Sequence, residues 1–373
     1  REAAVDAVKQ CLEAGIRPVM ITGDHPETAR AIAEQLGFSQ TDKAVAGRDI
    51  EDMSDEELES CIREVDVFAR AAPEHKLRLV KAMQAQGGIC AMTGDGVNDG
   101  PALKRADVGV AMGRQGTEAA KEASEMVLAD DDFATIEKAI EEGRKVYDNI
   151  RKTVTFLLPT NGAESLAVLL AMLGGMMLPI TGLQILWVNM VTAVTLGMAL
   201  VFESPEADVM QRKPRDPDAP LLNLFMLWRV LFVSVLLVAA VTGIFFWILG
   251  QGGSLELARA GAVNMLVMGE IVYLINSRFL VSRCLSLRGI FGSRPVLIAI
   301  GLVILIQLGW TYVPFTQLLF EAEGLSLLHW GIIVALGVVL FLVVELEKWI
   351  LRHFNLVTRD QTPHRKQASH QQT

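Results

Sequence analysis

The chain is poor in the features that would mark a secreted, metal-clustering or nucleic-acid-binding protein. Cysteine is scarce. The four present, Cys11, Cys61, Cys90 and Cys284, have no metal-ligand spacing, which excludes a zinc-finger framework. Three of them fall in the first half, a pattern that suggests reduced thiols and a cytosolic setting. Aromatic residues make up 6% of the sequence, and no basic cluster interleaves with them, so nothing supports nucleic-acid binding. The net charge of −9 sits mainly in the first half. No signal peptide is recognisable, and the first residue is Arg1 rather than methionine, so a fragment is expected.

What the chain does have is two unlike halves. Residues 1–150 are charged and mixed, like a soluble α/β domain of ordinary size. After about Thr153 come apolar runs of about twenty residues each, the length a helix needs to cross a bilayer. The mean hydropathy of the whole is +0.35.

In the first half, short apolar stretches alternate with helix-compatible ones. Ile16 to Ile21, Val65 to Ala69, Ile89 to Met92, Val108 to Met112 and Met126 to Leu128 read as strands. Pro26 opens a helix that runs to about Leu36 and stops at Gly37, and Pro73 opens another. This alternation predicts a parallel, doubly wound sheet. Its strand ends carry Asp24, Asp95 and Asp99, so the candidate chemistry converges on one edge.

The densest signal is Met92-Thr93-Gly94-Asp95-Gly96-Val97-Asn98-Asp99. It sets two carboxylates four residues apart across a glycine turn at a strand end. Hard carboxylate oxygens there suit Mg²⁺, which takes a few carboxylates together with water and phosphate. Single residues here read blandly: Lys76 as a solvated lysine at a helix start, Asp24 as a cap for the helix after it.

Taken together these segments resemble the P-type cation-transporting ATPases, most closely the type II group that includes calcium pumps. Thr93 to Asp99, continued by Gly100-Pro101-Ala102-Leu103-Lys104, resembles the family's hinge motif. Thr22-Gly23-Asp24-His25 is similar to a second motif, where Asn is the commoner fourth residue, and Ala72-Pro73-Glu74-His75-Lys76 to a third. The resemblance implies a HAD-like phosphorylation domain followed by an all-α bundle of six membrane helices. It implies that Asp95 ligates Mg²⁺ and that Asp99 and Asn98 hold the metal and phosphate network. It assigns Lys76 a fixed charge toward the phosphate, and Thr22 and the Gly23 N–H contacts with phosphate oxygens, with Asp24 ordering the site. ATP is the implied substrate. The family's Asp-Lys-Thr-Gly segment is not present; Asp42-Lys43 continues as Ala44-Val45 and reads as a surface loop. The nucleophilic aspartate, the nucleotide-binding and actuator domains and four further helices are therefore expected upstream, and this polypeptide alone is expected not to turn over ATP.

The boundaries expected are 1–132 for part of the phosphorylation domain, 133–152 for a stalk helix, 153–351 for the membrane domain and 352–373 for a polar tail. One helix from about Phe133 to Met176 would span roughly 65 Å, with Pro159 loosening it locally. The six spans are read at 153–176, 180–201, 224–249, 259–280, 294–313 and 328–351. Basic residues gather between the second and third (Arg212, Lys213, Arg215), between the fourth and fifth (Arg278, Arg283, Arg288, Arg294) and in the tail (Arg352, Arg359, Arg365, Lys366). Glu256, Arg259, Glu321 and Glu323 fall in the opposite loops. The positive-inside rule puts the soluble half and both ends of a multi-pass protein of the plasma or inner membrane in the cytosol.

Polar groups inside such spans are costly and are functional candidates. Asn161 and Glu164 lie three apart, just after Pro159, and are expected to share a helix face. Asn189 and Thr192 share a face of the second span, and Glu270 sits in the fourth with Asn264 and Asn276. Carboxylate, amide and hydroxyl oxygens together could cage a dehydrated cation; interhelical hydrogen bonding is the plainer use of Asn189. By resemblance, Asn161, Glu164, Asn189, Thr192 and Glu270 bind the transported ion. One departure stands out. Calcium pumps carry an aspartate directly after the matching threonine, and here that place is Ala193. The expected function is ATP-driven transport of a Ca²⁺-like divalent cation. The alternatives are a monovalent-cation pump, a membrane-tethered phosphatase of the same α/β class and a non-enzymatic membrane module.

Overall fold

The computed structural model describes residues 2–280 and 284–354. Arg283 and the tail residues Arg359, Arg365 and Lys366 lie outside the described residues, as does the side chain of Arg288. Two compact units are present: Arg1–Arg144 with Pro205–Asp218, and Lys145–Ser204 with Ala219–Thr373.

The first unit alternates strands and helices in the order α1 (Glu2–Glu13), β1 (Met20–Ile21), α2 (Pro26–Leu36), β2 (Ala44–Ala46), α3 (Gly47–Asp52), α4 (Asp55–Glu64), β3 (Val67–Ala69), α5 (Pro73–Ala85), β4 (Ala91–Gly94), α6 (Gly100–Arg105), β5 (Val108–Met112), α7 (Glu118–Glu122) and β6 (Met126–Leu128). All strand pairs are parallel. They form two three-stranded sheets, β1-β3-β2 and β4-β5-β6, where one continuous sheet was expected. β2 has no counterpart among the expected strands, and β1 covers only the last two residues of the stretch from Ile16. Val67, Phe68 and Ala69 of the central β3 are fully buried, as a strand covered on both faces requires. The two sheets share packing partners: Ile21 and Met83 lie against both the core of Ile50, Leu58, Phe68 and Leu79 and the core of Cys90, Met92, Leu103 and Ala111.

Helix ends follow local chemistry. Pro26 and Pro73 sit in first turns, where the missing N–H costs nothing. Gly37 closes α2 in the left-handed conformation at φ 81°. Segment 205–218 belongs to this unit through Arg144, whose guanidinium donates to Val209 O and Arg212 O at 2.9 and 2.8 Å and to Ala14 O at 2.8 Å.

The second unit is helical. From Lys145 it contains most of helix α8 (Ala134–Leu173), 40 residues long, whose hydrogen-bond ladder is interrupted by Pro159. The others are α9 (Gly182–Thr192), a π-helical turn (Ala193–Gly197), α10 (Met198–Val201), α11 (Leu224–Gly250), α12 (Leu255–Ser277), α13 (Leu287–Phe291), α14 (Arg294–Tyr312), α15 (Pro314–Phe320) and α16 (Leu327–His353). Among the described residues, six helical segments are long and apolar enough to cross a membrane: α8, the stretch Gly182–Val201, α11, α12, α14 and α16. α12 is the most enclosed of them and packs most extensively against α11 and α16.

Candidate functional site

The loop after β4 is shaped around Asp99. Its carboxylate is 4% exposed and folds back over the strand end. Oδ2 accepts the N–H groups of Asp95 and Gly96, each at 3.2 Å, and Oδ1 accepts Lys76 Nζ at 2.6 Å. Gly94 makes this possible: a Cβ there would stand 2.6 Å from Asp99 Cβ and 2.9 Å from its Cγ. The backbone of Asp95 is pinned from the other side, since Thr117 N donates to Asp95 O at 2.9 Å. The side chains of Asp95 and Asn98 point outward and are exposed. Among the described residues no three His, Cys, Asp or Glu side chains gather into a metal site.

The Thr22 loop follows β1. Thr22 Oγ1 donates to Asp24 Oδ2 at 3.1 Å, and Asp24 N donates back to Thr22 Oγ1 at 3.1 Å. Asp24 does not cap α2; His25 does, accepting Glu27 N through Nδ1. Ala71 N donates to Thr22 O at 3.0 Å, and the chain from Ala71 leads directly into α5, which carries Lys76. The three sequence segments thus form one connected edge: Thr22 to Ala71, then Lys76 to Asp99. His75, next to Lys76, is buried and structural. Its Nδ1 accepts Ala72 N at 3.0 Å and its Nε2 lies 3.2 Å from Glu51 Oε1.

A second polar cluster lies among the apolar helices. Glu164 of α8 and Glu270 of α12 are 4% and 2% exposed. Asn189 Nδ2 of α9 donates to Glu164 Oε2 at 2.5 Å. Thr192 is buried, its hydroxyl donating to Val188 O at 2.9 Å. Glu164 Oε1 and Glu270 Oε2 are buried without any hydrogen-bond partner. Asn161 departs from expectation. It is exposed, although Glu164 three residues later is buried, so the two do not share one enclosed face. Ala193 is half-buried at the first residue of the π-helical turn. Asn264 belongs elsewhere, in a network with Thr311 at 3.1 Å and Gln307 at 3.2 Å, extended by Trp187.

Three ion pairs buried among the described residues were not expected from the sequence, where Arg278 counted only among the basic residues after the fourth span: Arg229–Glu347 at 2.6 Å, Arg278–Glu203 at 2.7 Å and Lys348–Glu345 at 2.7 Å. Asn276 donates to Glu345 Oε1 at 2.9 Å and so belongs with the last pair rather than with Glu270. The only available signal was a charge inside an apolar run.

Comparison with known proteins bears on both clusters. The family model for haloacid dehalogenase-like hydrolases matches residues 1–107, and that for the C-terminus of cation-transporting ATPases matches 177–350. The chain is similar to a probable cation-transporting ATPase F of Mycobacterium tuberculosis, 45% identical over 94% of this chain and 39% of that protein. The chain belongs to the P-type cation-transporting ATPase family. It is also similar to the cation-transporting ATPase pma1 of Synechocystis, 43% identical over 89% of this chain and 38% of that protein. The calcium-transporting ATPase of Bacillus subtilis is 42% identical over 89% of this chain and 37% of its own length. The chain thus spans about two fifths of the length of the curated relatives it matches. Membership fits the HAD-like unit with parallel sheets followed by six apolar helices, and makes this a multi-pass membrane protein.

Proposed function

We propose that the chain supplies the phosphate-handling edge and the cargo site of an ATP-driven cation pump that works through an aspartyl-phosphate, with the nucleophile outside this sequence. The observation that carries the reading is the pair of buried carboxylates, Glu164 and Glu270. Each holds one oxygen without a partner amid apolar helices. An unpaired charge there is costly, and a cation coordinated by both oxygens relieves the cost. Two carboxylates with the amide of Asn189 and the hydroxyl of Thr192 offer hard oxygen donors and two negative charges, which favour a divalent cation of the Ca²⁺ type. Ala193 withholds a further carboxylate from the same helix. Asn161, being exposed, is the weakest member of the set.

At the soluble edge, the exposed Asp95 carboxylate has no hydrogen-bond or ion-pair partner among the described residues and fits Mg²⁺, with Asp99 behind it as the second hard donor. When bound, Mg²⁺ would neutralise phosphoryl oxygens. The remaining roles rest on this chain. Lys76 supplies positive charge, and Thr22 with the Gly23 N–H orients phosphate oxygens. Asp24 holds the Thr22 hydroxyl, and Asn98 stands outward at the loop tip. Segment 205–218 packs with the soluble unit, which supports placing both on the cytosolic side.

The test is ATPase activity of the full-length pump against cation concentration, for wild type and Glu164→Gln. The variant should raise the half-activating concentration at least about tenfold, as loss of one charged ligand implies. An unmoved curve would remove Glu164 from the ion path. Stimulation by monovalent ions alone would reassign the cargo.

A further inference from the structure

Proline at position 159 withholds the N–H that would satisfy the carbonyl four residues earlier, that of Thr155. This carbonyl is not left bare. Tyr273 Oη donates to Thr155 O at 2.9 Å, with Thr155 and Tyr273 both fully buried. The rings of Tyr273 and Phe156 stack at 6.1 Å. On the other side of the break, Ser234 Oγ of α11 donates to Pro159 O at 3.0 Å. The contact is close: a Cβ on Gly162 would stand 2.7 Å from that same Oγ. Thr160 Oγ1 covers Leu157 O at 3.0 Å from within α8.

Two helices thus hold the interruption in α8 through side-chain hydroxyls. One of them, α12, also carries Glu270, three residues before Tyr273. The segment of α8 beyond the break carries Glu164. Where the break is held therefore fixes how Glu164 stands against Glu270. A carbonyl freed by proline could be served by any donor. Here the donor comes from the helix bearing the second carboxylate.

We infer that Tyr273 is a positioning residue for the cargo site. Its hydroxyl, through Thr155 O, sets the spacing of Glu164 and Glu270 without touching the ion. This rests on the proposed cargo role of those two carboxylates. Ser234 supports the same break from α11.

The experiment is cation-activated ATPase of the full-length pump for wild type, Glu164→Gln, Tyr273→Phe, Ser234→Ala, Pro159→Ala and the double variant Pro159→Ala/Tyr273→Phe. Tyr273→Phe keeps the ring and removes only the donor. It should raise the half-activating cation concentration about fivefold, the size expected for one buried hydrogen bond, with the maximal rate near wild type. Alanine at 159 gives Thr155 O its helical N–H again, so Tyr273→Phe should shift the curve less in that background than in wild type. Ser234→Ala should shift it in the same direction, and it decides the matter should Tyr273→Phe fail to accumulate. A lowered maximal rate at an unchanged midpoint, or equal shifts with and without Pro159, would overturn the inference. If Glu164→Gln moves the curve and neither hydroxyl variant does, only this inference falls. If Glu164→Gln does not move it, the cargo reading falls and this one with it.

Discussion

Lys76 and Asp99 neutralise one another: Nζ stands 2.6 Å from Oδ1, with side-chain exposures of 22% and 6%. The lysine expected to face phosphate and the aspartate expected to face metal are bonded to each other. A site built this way stores its positive charge against an internal anion. Binding of a phosphoryl group and a metal ion would divide the pair between two external partners.

Lys76→Ala leaves a buried carboxylate held only by the amides of Asp95 and Gly96. The variant should lose about 1–3 kcal/mol of stability, and adding Asp99→Asn should restore part of it, because the uncompensated charge is then gone. Thermal unfolding of the purified full-length variants measures this. Both single variants should also lose phosphoenzyme formed from ATP and Mg²⁺. Normal phosphoenzyme in Asp99→Asn would remove Asp99 from the metal network.

Gly94→Ala should be as damaging as losing Asp99 itself. The added methyl meets the Asp99 side chain at 2.6 Å, and both flank a short turn with little room to give. Phosphoenzyme yield reports it, and a yield near wild type would show that the aspartate can move without cost.

Ala193→Asp should raise divalent-cation affinity. The position is half-buried, one residue beyond Thr192, in the span that also supplies Asn189. The readout is the midpoint of cation-activated ATPase. No change, or weaker binding, would show that a carboxylate at 193 does not reach the ion.

Acid should weaken the first unit through two aspartates. Asp107 is held below the usual carboxylate range by the Cys90 N–H at 2.8 Å, then by the Gln84 amide. Asp131 is held down chiefly by the Arg114 N–H, helped by those of Gln115 and Gly113. Both are lowered on folding, so their contribution is present above the ordinary aspartate value of about 3.9 and is lost as pH falls through the lower folded values. Unfolding midpoints between neutral and about pH 3 should fall less steeply in Asp107→Asn and Asp131→Asn than in wild type. Equal slopes would contradict this.

Much of this architecture is written in short-range pattern. The run into Gly94 and the acids after it mark a candidate site because strand, turn and helix cues are consecutive there. The apolar spans were legible because length alone identifies them. β2 was not legible: Ala44-Val45-Ala46 is three small residues that acquire strand character only by pairing with β3. The division into two sheets depends on register, which single strands do not carry. Asn161 and Glu164, three apart, lie about 60° from one another around the helix, so one is exposed while the other is enclosed, a difference that spacing alone does not give. Arg229 with Glu347 and Arg278 with Glu203 are pairs joined only by tertiary packing, across two or more helices of sequence.

The π-helical turn at Ala193–Gly197 carries one residue more per turn than the helices on either side. Removing a residue from a membrane helix normally rotates everything after it by about 100°. At this turn, deletion of one residue would instead let the wide turn relax to ordinary pitch while the flanking segments keep their facing. The span holding Asn189 and Thr192 therefore contains a place where chain length can change by one without re-threading the bundle. Single-residue deletions scanned along Gly182–Val201 should be best tolerated there, scored by surface expression and by retained ATPase.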